Sequence, residues 1–457
     1  MRSVLVIDVV GLTPDHLRGL APNLERLAAS GFAAPLQTVF PAVTCPVQST
    51  FLTGKLPGEH GIVANGWYYR DLAEVKFWRQ SNRLVEGDRV IDEARRRDAG
   101  FTCAYLFWWF AMYGGFDVAV TPRPAYPADG RKLPDIWTDP PELKDALNEK
   151  LGRFPLFDFW GPRAGLPSSR WIGQAALEVL KTRRPTAAFV YLPHLDYDLQ
   201  RLGPSDPLIQ REVRAVDAVA GELIDQARGL GYEILVLSEY GITAVRDAVP
   251  INRVLREAGL LRVERNLVGE LLDAGSSRAF AVADHQVAHV YVADPADLEP
   301  VRRLLEATDG IERVLDAEGQ REIGLAHPRS GELVAISAAD RWFSYYYWLD
   351  DARAPDFART VDIHRKPGYD PVELLIDPRL KLPRLKVAGT LLKKSLGFRY
   401  LMDVISLDAS LAKGSHGRLP DREEDGPVLI CSSSRAARDR VRAEEVRELL
   451  LELIFGG

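Results

Sequence analysis

The segment TVFPAVTCPVQSTFLTG, residues 38–54, places a hydroxyl group beside the start of a short helix. Its pattern predicts a helix over residues 47–52 that ends at Gly54, and Pro46 suits the first helical position. Thr44 is therefore expected at or just before the helix start, where N–H groups converge and the helix dipole favours negative charge. A hydroxyl there could meet a phosphate or a metal ion. The alternative is an ordinary N-cap threonine.

Acidic residues stand at the ends of the predicted strands. Apolar runs at 4–10, 186–196 and 232–241 contain or end in Asp8, Asp196 and Glu239. Helix patterns at 14–30, 168–183 and 206–229 alternate with these runs, which predicts a parallel sheet with strands buried on both faces. Ligands bind at the carboxyl edge of such sheets, so the three acids are expected to gather there. For Asp8 the alternative is a cap of the following turn.

The composition is typical of a soluble globular protein. Hydrophobic residues make up 46% of the 457 positions and the formal net charge is −6, so no nucleic-acid polymer is expected as a partner. Three scattered cysteines imply no disulfide framework and suit a reducing compartment. The N-terminal apolar run is too short for a signal peptide, and no run is long enough to span a bilayer. We therefore predict a cytoplasmic protein without membrane contact.

The order of the patterns predicts an α/β core, residues 1–248 and 345–457, with two insertions. Residues 114–165 are rich in Pro, Gly, Asp and aromatic residues and are expected to form a lid-like insertion within the core, or else surface padding. Residues 249–344 carry strand and helix signals of a different kind, which predicts a small α+β insertion. Its run 281–294 is predicted to be a strand, with His285 and His289 as packing or hydrogen-bonded side chains.

Together these segments resemble the alkaline phosphatase superfamily, and most closely its nucleotide pyrophosphatase/phosphodiesterase branch. The run VLVIDVVG is similar to the family's first metal-ligand strand, which implies that Asp8 is a ligand. The family's loop T-F-P-N-H-x-S-x-x-T-G, followed by P-x-x-H-G-I, resembles TCPVQSTFLTG and LPGEHGI here. This match implies that Thr44 is the nucleophile. It also implies the fold, an alkaline-phosphatase-like, mostly parallel sheet flanked by helices.

Three further motifs carry the resemblance through the rest of the chain. The family's P-D-x-x-G-H resembles HLDYDLQRLGP, its S-D-H-G resembles SEYG, and its final H-G resembles GSHGR. The metal ligands that these matches imply are Asp196, Gln200, Glu239, Tyr240 and His416.

The departures from the family pattern concern the metal site. Val47 replaces an Asn that helps to hold the phosphoryl oxygen, and Gln200 and Tyr240 replace histidines although they are much weaker zinc ligands. The remaining oxygen-rich set favours Mn or Mg over two tightly bound zinc ions, with one or two divalent ions in all. His364, in a polar loop, could supply a lost imidazole.

The resemblance implies a metal-dependent hydrolase of phosphate esters, in the first place diesters, that acts on a small phosphorylated substrate through a phospho-threonine intermediate. Aromatic stretches at 105–110 and 155–160 could stack on a base or an apolar leaving group, or could belong to the core. Alternatives on the same fold are a phosphonate or sulfate-ester hydrolase or a phosphotransferase. A relative that only binds ligands, having lost part of the metal site, is a further alternative. The sequence pattern does not indicate which oligomeric state the protein has.

Overall fold

The computed structural model describes residues 1–128, 131–398 and 400–456. Its helices, in chain order, are α1 Pro14–Leu17, α2 Pro22–Ser30, α3 Thr44–Thr53, α4 Pro57–His60, α5 Val90–Arg97, α6 Leu143–Leu151, α7 Leu156–Phe159, α8 Leu166–Thr182, α9 His194–Leu202, α10 Ile209–Gly229, α11 Ile251–Glu257, α12 Leu298–Glu306, α13 Ala317–Glu322, α14 Pro383–Ser395 and α15 Val446–Phe455.

The strands are short, and many are apolar along their whole length. In chain order they are β1 Val4–Val9, β2 Phe32–Gln37, β3 Gly66–Tyr69, β4 Glu74–Phe77, β5 Cys103–Leu106, β6 Val118–Pro122, β7 Ile136–Asp139, β8 Ala187–Leu192, β9 Glu233–Leu237, β10 Thr243–Ala244, β11 Asp247–Val249, β12 Val263–Asn266, β13 Gly269–Leu272, β14 Ala279–Asp284, β15 Val287–Val292, β16 Ile311–Leu315, β17 Leu333–Ser337, β18 Arg341–Phe343, β19 Gly414–Ser415, β20 Val428–Cys431 and β21 Val441–Arg442.

The central sheet has the strand order β21-β2-β20-β9-β1-β8-β5-β6-β7. β1 lies in its middle and pairs in parallel with both β8 and β9. β20 and β7 are antiparallel to their neighbours, so the sheet is mostly parallel with two reversed strands. Every residue of β1 is buried, which explains its continuous apolar run. Helices flank this sheet, and the architecture confirms the predicted α/β class.

A second sheet lies within residues 249–344. Its antiparallel order is β14-β15-β17-β16, and it has a hydrophobic cluster distinct from that of the central sheet. The predicted strand over 281–294 is in fact a hairpin, because β14 and β15 pair across a turn at His285 and Gln286. The turn carries no Asn-Gly or Gly signal, and His285 takes a left-handed φ of 60°. Two apolar runs joined by such a turn look like one strand in the sequence.

The segment 114–165 differs from the expected lid in one respect. β6 and β7 lie within it and form the edge of the central sheet, so this part of the segment belongs to the core. The chain between the two strands and the chain after them line a large cavity, through Pro122, Arg123, Pro124, Tyr126 and Lys132, and through Leu156, Phe157, Phe159, Trp160, Pro162 and Arg163. Short strands between Pro- and Gly-rich stretches gave too little periodic pattern to be recognised as core.

Two other predicted strands end earlier than expected. The run 186–196 is a strand only as far as Leu192, and Asp196 lies in the first turn of α9, which begins directly after Pro193. The run 101–110 is a strand only over Cys103–Leu106. Phe107 and Phe110 then take positive φ angles that no strand adopts. Within the part of the chain that the structure describes, no helix combines the length and apolarity needed to cross a bilayer.

Candidate active site

Thr44 is the first residue of α3, and its side chain does not cap that helix. The N-cap position is Val43, and no side-chain capping hydrogen bond is present there. The Thr44 hydroxyl lies 3.2 Å from the hydroxyl of Tyr240. All ten residues of α3 are buried, and the helix ends at Gly54 with a left-handed φ of 65°, as a C-terminal glycine allows. The structure therefore does not support the capping alternative, and the functional role of Thr44 stays a prediction.

A pair of buried carboxylates lies next to Thr44. Asp8 stands near the carboxyl end of β1, and Glu239 follows β9, its neighbour in the sheet. The Gln48 Nε2 atom donates to Asp8 Oδ2 at 3.1 Å and to Glu239 Oε1 at 2.7 Å. The Gln48 carbonyl oxygen accepts from the Trp109 backbone N–H at 2.9 Å, which fixes the orientation of the amide. Asp8 Oδ1 and Glu239 Oε2 have no hydrogen-bond partner among the described residues.

A second group lies on the other side of Thr44 and is built around Asp196. Asp196 and Gln200 are one turn apart on α9, and Gln200 Nε2 donates to Asp196 Oδ2 at 2.6 Å. The Gln200 carbonyl oxygen accepts from the Tyr369 hydroxyl at 2.9 Å. Tyr240 donates to Asp196 Oδ1 at 3.4 Å, and His416 Nε2 lies 3.8 Å from the same oxygen. One hydroxyl, that of Tyr240, therefore contacts both Thr44 and Asp196.

Four rings form a stacked column beside this group. Tyr240 stacks on His416 with ring centroids 3.5 Å apart, His416 lies 3.7 Å from His285, and His285 stacks on Tyr369 at 3.6 Å. His416 Nδ1 is 2.8 Å from the carbonyl oxygen of Ala42. Because a carbonyl only accepts, Nδ1 carries the proton and Nε2 keeps its lone pair toward Asp196.

Burial shifts the pKa values in the site toward neutral forms. It raises the pKa of Asp8 to about 7 and that of Asp196 to about 7, although hydrogen bonds from Gln48 and Gln200 act against the shift. Burial, followed by the negative charge of Asp8, raises the pKa of Glu239 well above its usual range. Burial lowers the pKa of His416 to about 3, so its imidazole is neutral.

The site opens into a cavity of about 1120 Å³. Thr44, Asp196, Gln200, Tyr240 and His416 lie in its wall. Aromatic side chains line it as well. Of the two aromatic stretches that could stack on a ligand, Trp109, Phe157 and Trp160 face the cavity, whereas Tyr105, Phe107 and Trp108 belong to the core. Cationic side chains in the wall are Arg79, Arg123, Lys132, Arg163 and Arg384. The cavity therefore offers positive charge and aromatic surface to an anionic ligand.

The donor set fits one hard divalent cation better than two zinc ions. Asp8 and Glu239 are adjacent carboxylates that each keep one oxygen free, and such a pair is stabilised by a cation bound through oxygen. Among the described residues, no group of three or more His, Cys, Asp or Glu side chains is arranged to hold a metal, whereas structural and catalytic zinc sites have three or four such ligands. Gln200 takes the position where an imidazole would complete the second group.

Two of the residues predicted from the sequence have other surroundings. His364 lines the cavity, but its charged neighbours are Lys132, Arg79 and Arg123, and burial lowers its pKa to about 4. It makes no described contact with the site carboxylates, so a ligand role for it stays a prediction. Val47 is fully buried in the main core, and it therefore offers nothing to a phosphoryl oxygen.

Sequence reasoning missed residues that hold the site together. Gln48 occupies the fifth position of the nucleophile-loop motif, where the family pattern has His, and that position was the available signal. His285 and Tyr369 come from segments without a recognised motif. Asn65 accepts from the backbone N–H of Cys45, the second residue of α3, at 2.9 Å. Asn65 is in turn held by the buried carboxylate of Asp284.

A scan against protein-family models matches residues 4–370 to the type I phosphodiesterase/nucleotide pyrophosphatase family. The chain belongs to this family. The match contains Asp8, Thr44, Asp196 and Glu239, and it confirms the resemblance that the nucleophile loop indicated. His416 lies beyond the matched residues.

A comparison with curated proteins finds a distant relative of this chain. An uncharacterized pyrophosphatase/phosphodiesterase of Schizosaccharomyces pombe is 26% identical over 254 residues, which cover 54% of this chain and 46% of the relative. The match therefore spans less than half of the curated relative's length.

Solved structures of the same fold include two enzymes with bound ligands. Phosphonoacetate hydrolase of Sinorhizobium meliloti, in complex with phosphonoformate, has a TM-score of 0.64 and 17% identity over 99% of this chain and 96% of that one. Murine ectonucleotide pyrophosphatase/phosphodiesterase 5, inactive and in complex with AMP, has a TM-score of 0.59 and 15% identity over 99% and 95%. At these identities the likeness establishes the fold.

Proposed function

We propose that this protein hydrolyses phosphate esters, in the first place diesters, by attack of the Thr44 hydroxyl on phosphorus. The observation that carries the proposal is the position of Thr44, at a helix start in the cavity wall, with its hydroxyl 3.2 Å from Tyr240 and carboxylates on both sides. Family membership supports the reaction class. The substrate is a small phosphorylated molecule, since the cavity has a volume of about 1120 Å³ and cationic residues in its wall.

The chain's own residues supply a route for the proton of Thr44. Attack forms a bond between Thr44 Oγ1 and phosphorus and breaks the bond from phosphorus to the leaving oxygen, which yields a phosphorylated threonine. The Thr44 proton passes to the Tyr240 oxygen, and the Tyr240 proton passes to Asp196, with which Tyr240 is hydrogen-bonded. A pKa of about 7 makes Asp196 a suitable acceptor near neutral pH. Water then attacks phosphorus and breaks its bond to Thr44 Oγ1, which takes its proton back from Asp196 through Tyr240. The phosphate monoester leaves, and the proton that the water loses passes to solvent, where it balances the proton that the first leaving oxygen takes up.

Asp8 and Glu239 would hold a divalent cation beside Thr44. When bound, Mg or Mn would supply positive charge against the oxygens of the transferring phosphoryl group. Gln48 donates to one oxygen of each carboxylate, and the second oxygen of each has no hydrogen-bond partner among the described residues. The three cysteines are free and buried, which supports the expectation of a reducing, cytoplasmic location.

A turnover assay with a matched pair of threonine variants tests the proposal. Bis-p-nitrophenyl phosphate is offered to the purified protein with Mg, Mn or Zn added in turn, beside p-nitrophenyl phosphate, p-nitrophenyl sulfate and phosphonoacetate. We expect diester hydrolysis with Mg or Mn, and a loss of about a thousandfold or more in Thr44→Ala. Thr53→Ala is the control on the same helix, because its hydroxyl bonds only backbone atoms within residues 49–55.

Each alternative has its own result in this assay. Unchanged turnover in Thr44→Ala would remove Thr44 from the mechanism. Faster turnover of the sulfate ester or of phosphonoacetate would mean that the same site catalyses a different reaction. No turnover with any metal, together with binding of AMP, would favour a protein that only binds ligands.

A further inference from the structure

The segment at residues 378–402 has an unusual charge for this protein. It contains seven Lys or Arg residues and no Asp or Glu, whereas the whole chain has a formal net charge of −6. The basic residues are Arg379, Lys381, Arg384, Lys386, Lys393, Lys394 and Arg399. Most of this segment forms α14 and the chain that directly follows it. Arg379 and Lys386 are paired with Asp377 and Asp403, the acidic residues that flank the segment. The other basic residues still give the segment a net positive charge, which points to an anionic partner.

The same segment exposes a group of large apolar side chains. Leu385 and Leu392 lie seven residues apart on one face of α14, with 65% and 59% of their surfaces exposed. Leu396 and Phe398 follow the helix and are each 65% exposed. Leu382 and Leu401, at the two ends of the segment, are exposed as well. Single exposed leucines are normal on a soluble protein, but a contiguous group of them marks an interaction surface.

The opposite face of α14 is held by the rest of the molecule. Arg384, Val387 and Leu391 line the wall of the cavity, and Val387 also packs against a small hydrophobic cluster. The Lys386 ammonium bonds the backbone oxygen of Asp403 at 2.7 Å and its carboxylate at 2.9 Å. Val387 and Lys386 thus attach this face to the molecule, although Leu391 is itself 48% exposed, while the leucine face points to solvent.

We propose that this leucine face, with the basic residues around it, docks on the surface of an anionic lipid bilayer, in contrast to the expectation from the sequence that the protein has no membrane contact. An amphipathic helix with Leu and Phe on one side and Lys and Arg beside them is suited to lie in the plane of the interface. The apolar side chains continue past the helix end, so they do not form the single regular row that a protein groove receives. A bilayer accepts such an irregular group. The helix, about 20 Å long, lies along the membrane and does not cross it.

A vesicle sedimentation experiment tests the docking surface, and it does not depend on the proposed hydrolysis. The full chain is mixed with vesicles of phosphatidylcholine alone or with 30% phosphatidylglycerol, at low and high salt. We expect binding to the anionic vesicles that weakens at high salt. The double variant Leu385→Glu/Leu392→Glu should bind at least about tenfold more weakly, and Lys381→Glu/Lys393→Glu should lose the preference for phosphatidylglycerol.

Leu267→Glu is the matched control. Leu267 is fully exposed in the β12–β13 hairpin, far along the chain from α14, and its variant should bind as the wild type does. Thermal unfolding at an unchanged midpoint shows that the double variant is folded. Absence of binding to phosphatidylglycerol vesicles, or equal binding by the double variant, would overturn the proposal. So would a dimer in sedimentation equilibrium that the double variant dissociates, if the wild type binds no vesicles, because a second copy would then cover this face.

Discussion

Gln48 and Gln200 have the same arrangement on the two sides of Thr44. In each, the amide nitrogen donates to a site carboxylate, and the amide oxygen is held by a fixed donor, the Trp109 backbone or the Tyr369 hydroxyl. Gln48 donates to one oxygen of Asp8 and one of Glu239, and the second oxygen of each has no partner among the described residues. Both oxygens of Asp196 are engaged, because Gln200 donates to Oδ2 and Tyr240 donates to Oδ1. A neutral amide in place of an imidazole keeps the carboxylates oriented while it removes a nitrogen ligand. This exchange explains why the site fits one hard cation better than two zinc ions.

Replacement of Gln200 by histidine should therefore create a zinc site. An imidazole at this position would lie beside Asp196 and His416. The three side chains would then provide the three protein ligands of a catalytic zinc centre. We expect Gln200→His to bind Zn at least about tenfold more tightly than the wild type, as measured by competition with a chromogenic chelator. Gln200→Asn, which adds no imidazole, is the control. Equal zinc affinity in all three proteins would show that His416 and Asp196 are not positioned as ligands.

The sequence predicted the residues to which the proposed chemistry is assigned, but it did not predict the residues that orient them. Asp8, Thr44, Asp196, Glu239 and His416 were all predicted, because each belongs to a motif with a chemical reason for its residue type. Gln48, His285 and Tyr369 were missed, since an orienting role depends on which atoms meet in space. His364 is the opposite case. It was predicted as a ligand from its polar loop, but in the cavity its charged neighbours are cations.

At the scale of elements, β19 and α9 together determine where His416 lies. Gly414 packs against the backbone of α9, and the backbone N–H of Lys413 donates to the carbonyl oxygen of Gln200 at 2.8 Å. Two backbone hydrogen bonds hold the residues that follow. The Gln286 N–H donates to the His416 carbonyl oxygen, and the Ala42 N–H donates to the Gly417 carbonyl oxygen, each at 2.9 Å. His416 and Asp196 are therefore held by direct backbone contacts between their elements.

Addition of one methyl group at Gly414 should disturb this arrangement. A Cβ atom there would lie 2.2 Å from the carbonyl oxygen of Leu199 on α9, so the two backbones would have to separate. We expect Gly414→Ala to lower the free energy of unfolding by about 2 kcal/mol or more, and to reduce diester turnover because His416 moves away from Asp196. Thermal unfolding and the turnover assay measure the two effects.

Gly389→Ala on α14 is the matched control for this substitution. A Cβ at Gly389 meets nothing within 4 Å, and alanine favours a helix over glycine by about 1 kcal/mol. The control should therefore unfold at the same temperature or higher. Equal stability and turnover in the wild type and Gly414→Ala would mean that β19 does not position the histidine.

Predictions of elements succeeded where periodicity was long and failed where turns were unusual. The central helices and the buried strands β1, β8 and β9 follow directly from their apolar patterns. The position of Asp196 on a helix, and the turn at His285, depend on local backbone choices with no glycine signal. The strands β6 and β7 were hidden because they are short and lie among Pro- and Gly-rich stretches, which obscure their apolar pattern.

At the scale of the whole molecule, the segment 249–344 takes part in the site. The tip of its β14–β15 hairpin places His285 against His416, and Asp284 holds Asn65, which bonds the start of α3. His289 on β15 makes a further connection: its Nε2–H donates to the carbonyl oxygen of Val63, and its Nδ1 accepts from the Gly331 backbone N–H. The second sheet is thus docked on the core through buried polar contacts.

This docking should weaken in acid because His289 must stay neutral. Burial lowers the pKa of His289 from 6.5 to about 4, and protonation of Nδ1 would remove its acceptor for Gly331. Between those two values the unfolded chain binds more protons than the folded one, so stability falls as pH decreases from about 6.5 toward 4. His289 alone should account for a loss of about 2 kcal/mol in the free energy of unfolding between pH 7 and pH 5.

Denaturant unfolding of the wild type and His289→Gln at both pH values measures this contribution. Glutamine offers a donor and an acceptor but does not titrate in this range, so the variant should lose about 2 kcal/mol less than the wild type. Parallel losses in the two proteins would show that His289 is not the group whose protonation matters.

The account depends most directly on covalent chemistry at Thr44, and that step can be observed. The protein is mixed with bis-p-nitrophenyl phosphate and Mg or Mn, quenched in acid during turnover, digested and analysed by mass spectrometry. We predict a p-nitrophenyl phosphoryl adduct on the hydroxyl of Thr44, present during turnover and absent from Thr44→Ala. Steady turnover with an unmodified Thr44, or an adduct on a different residue, would contradict the account.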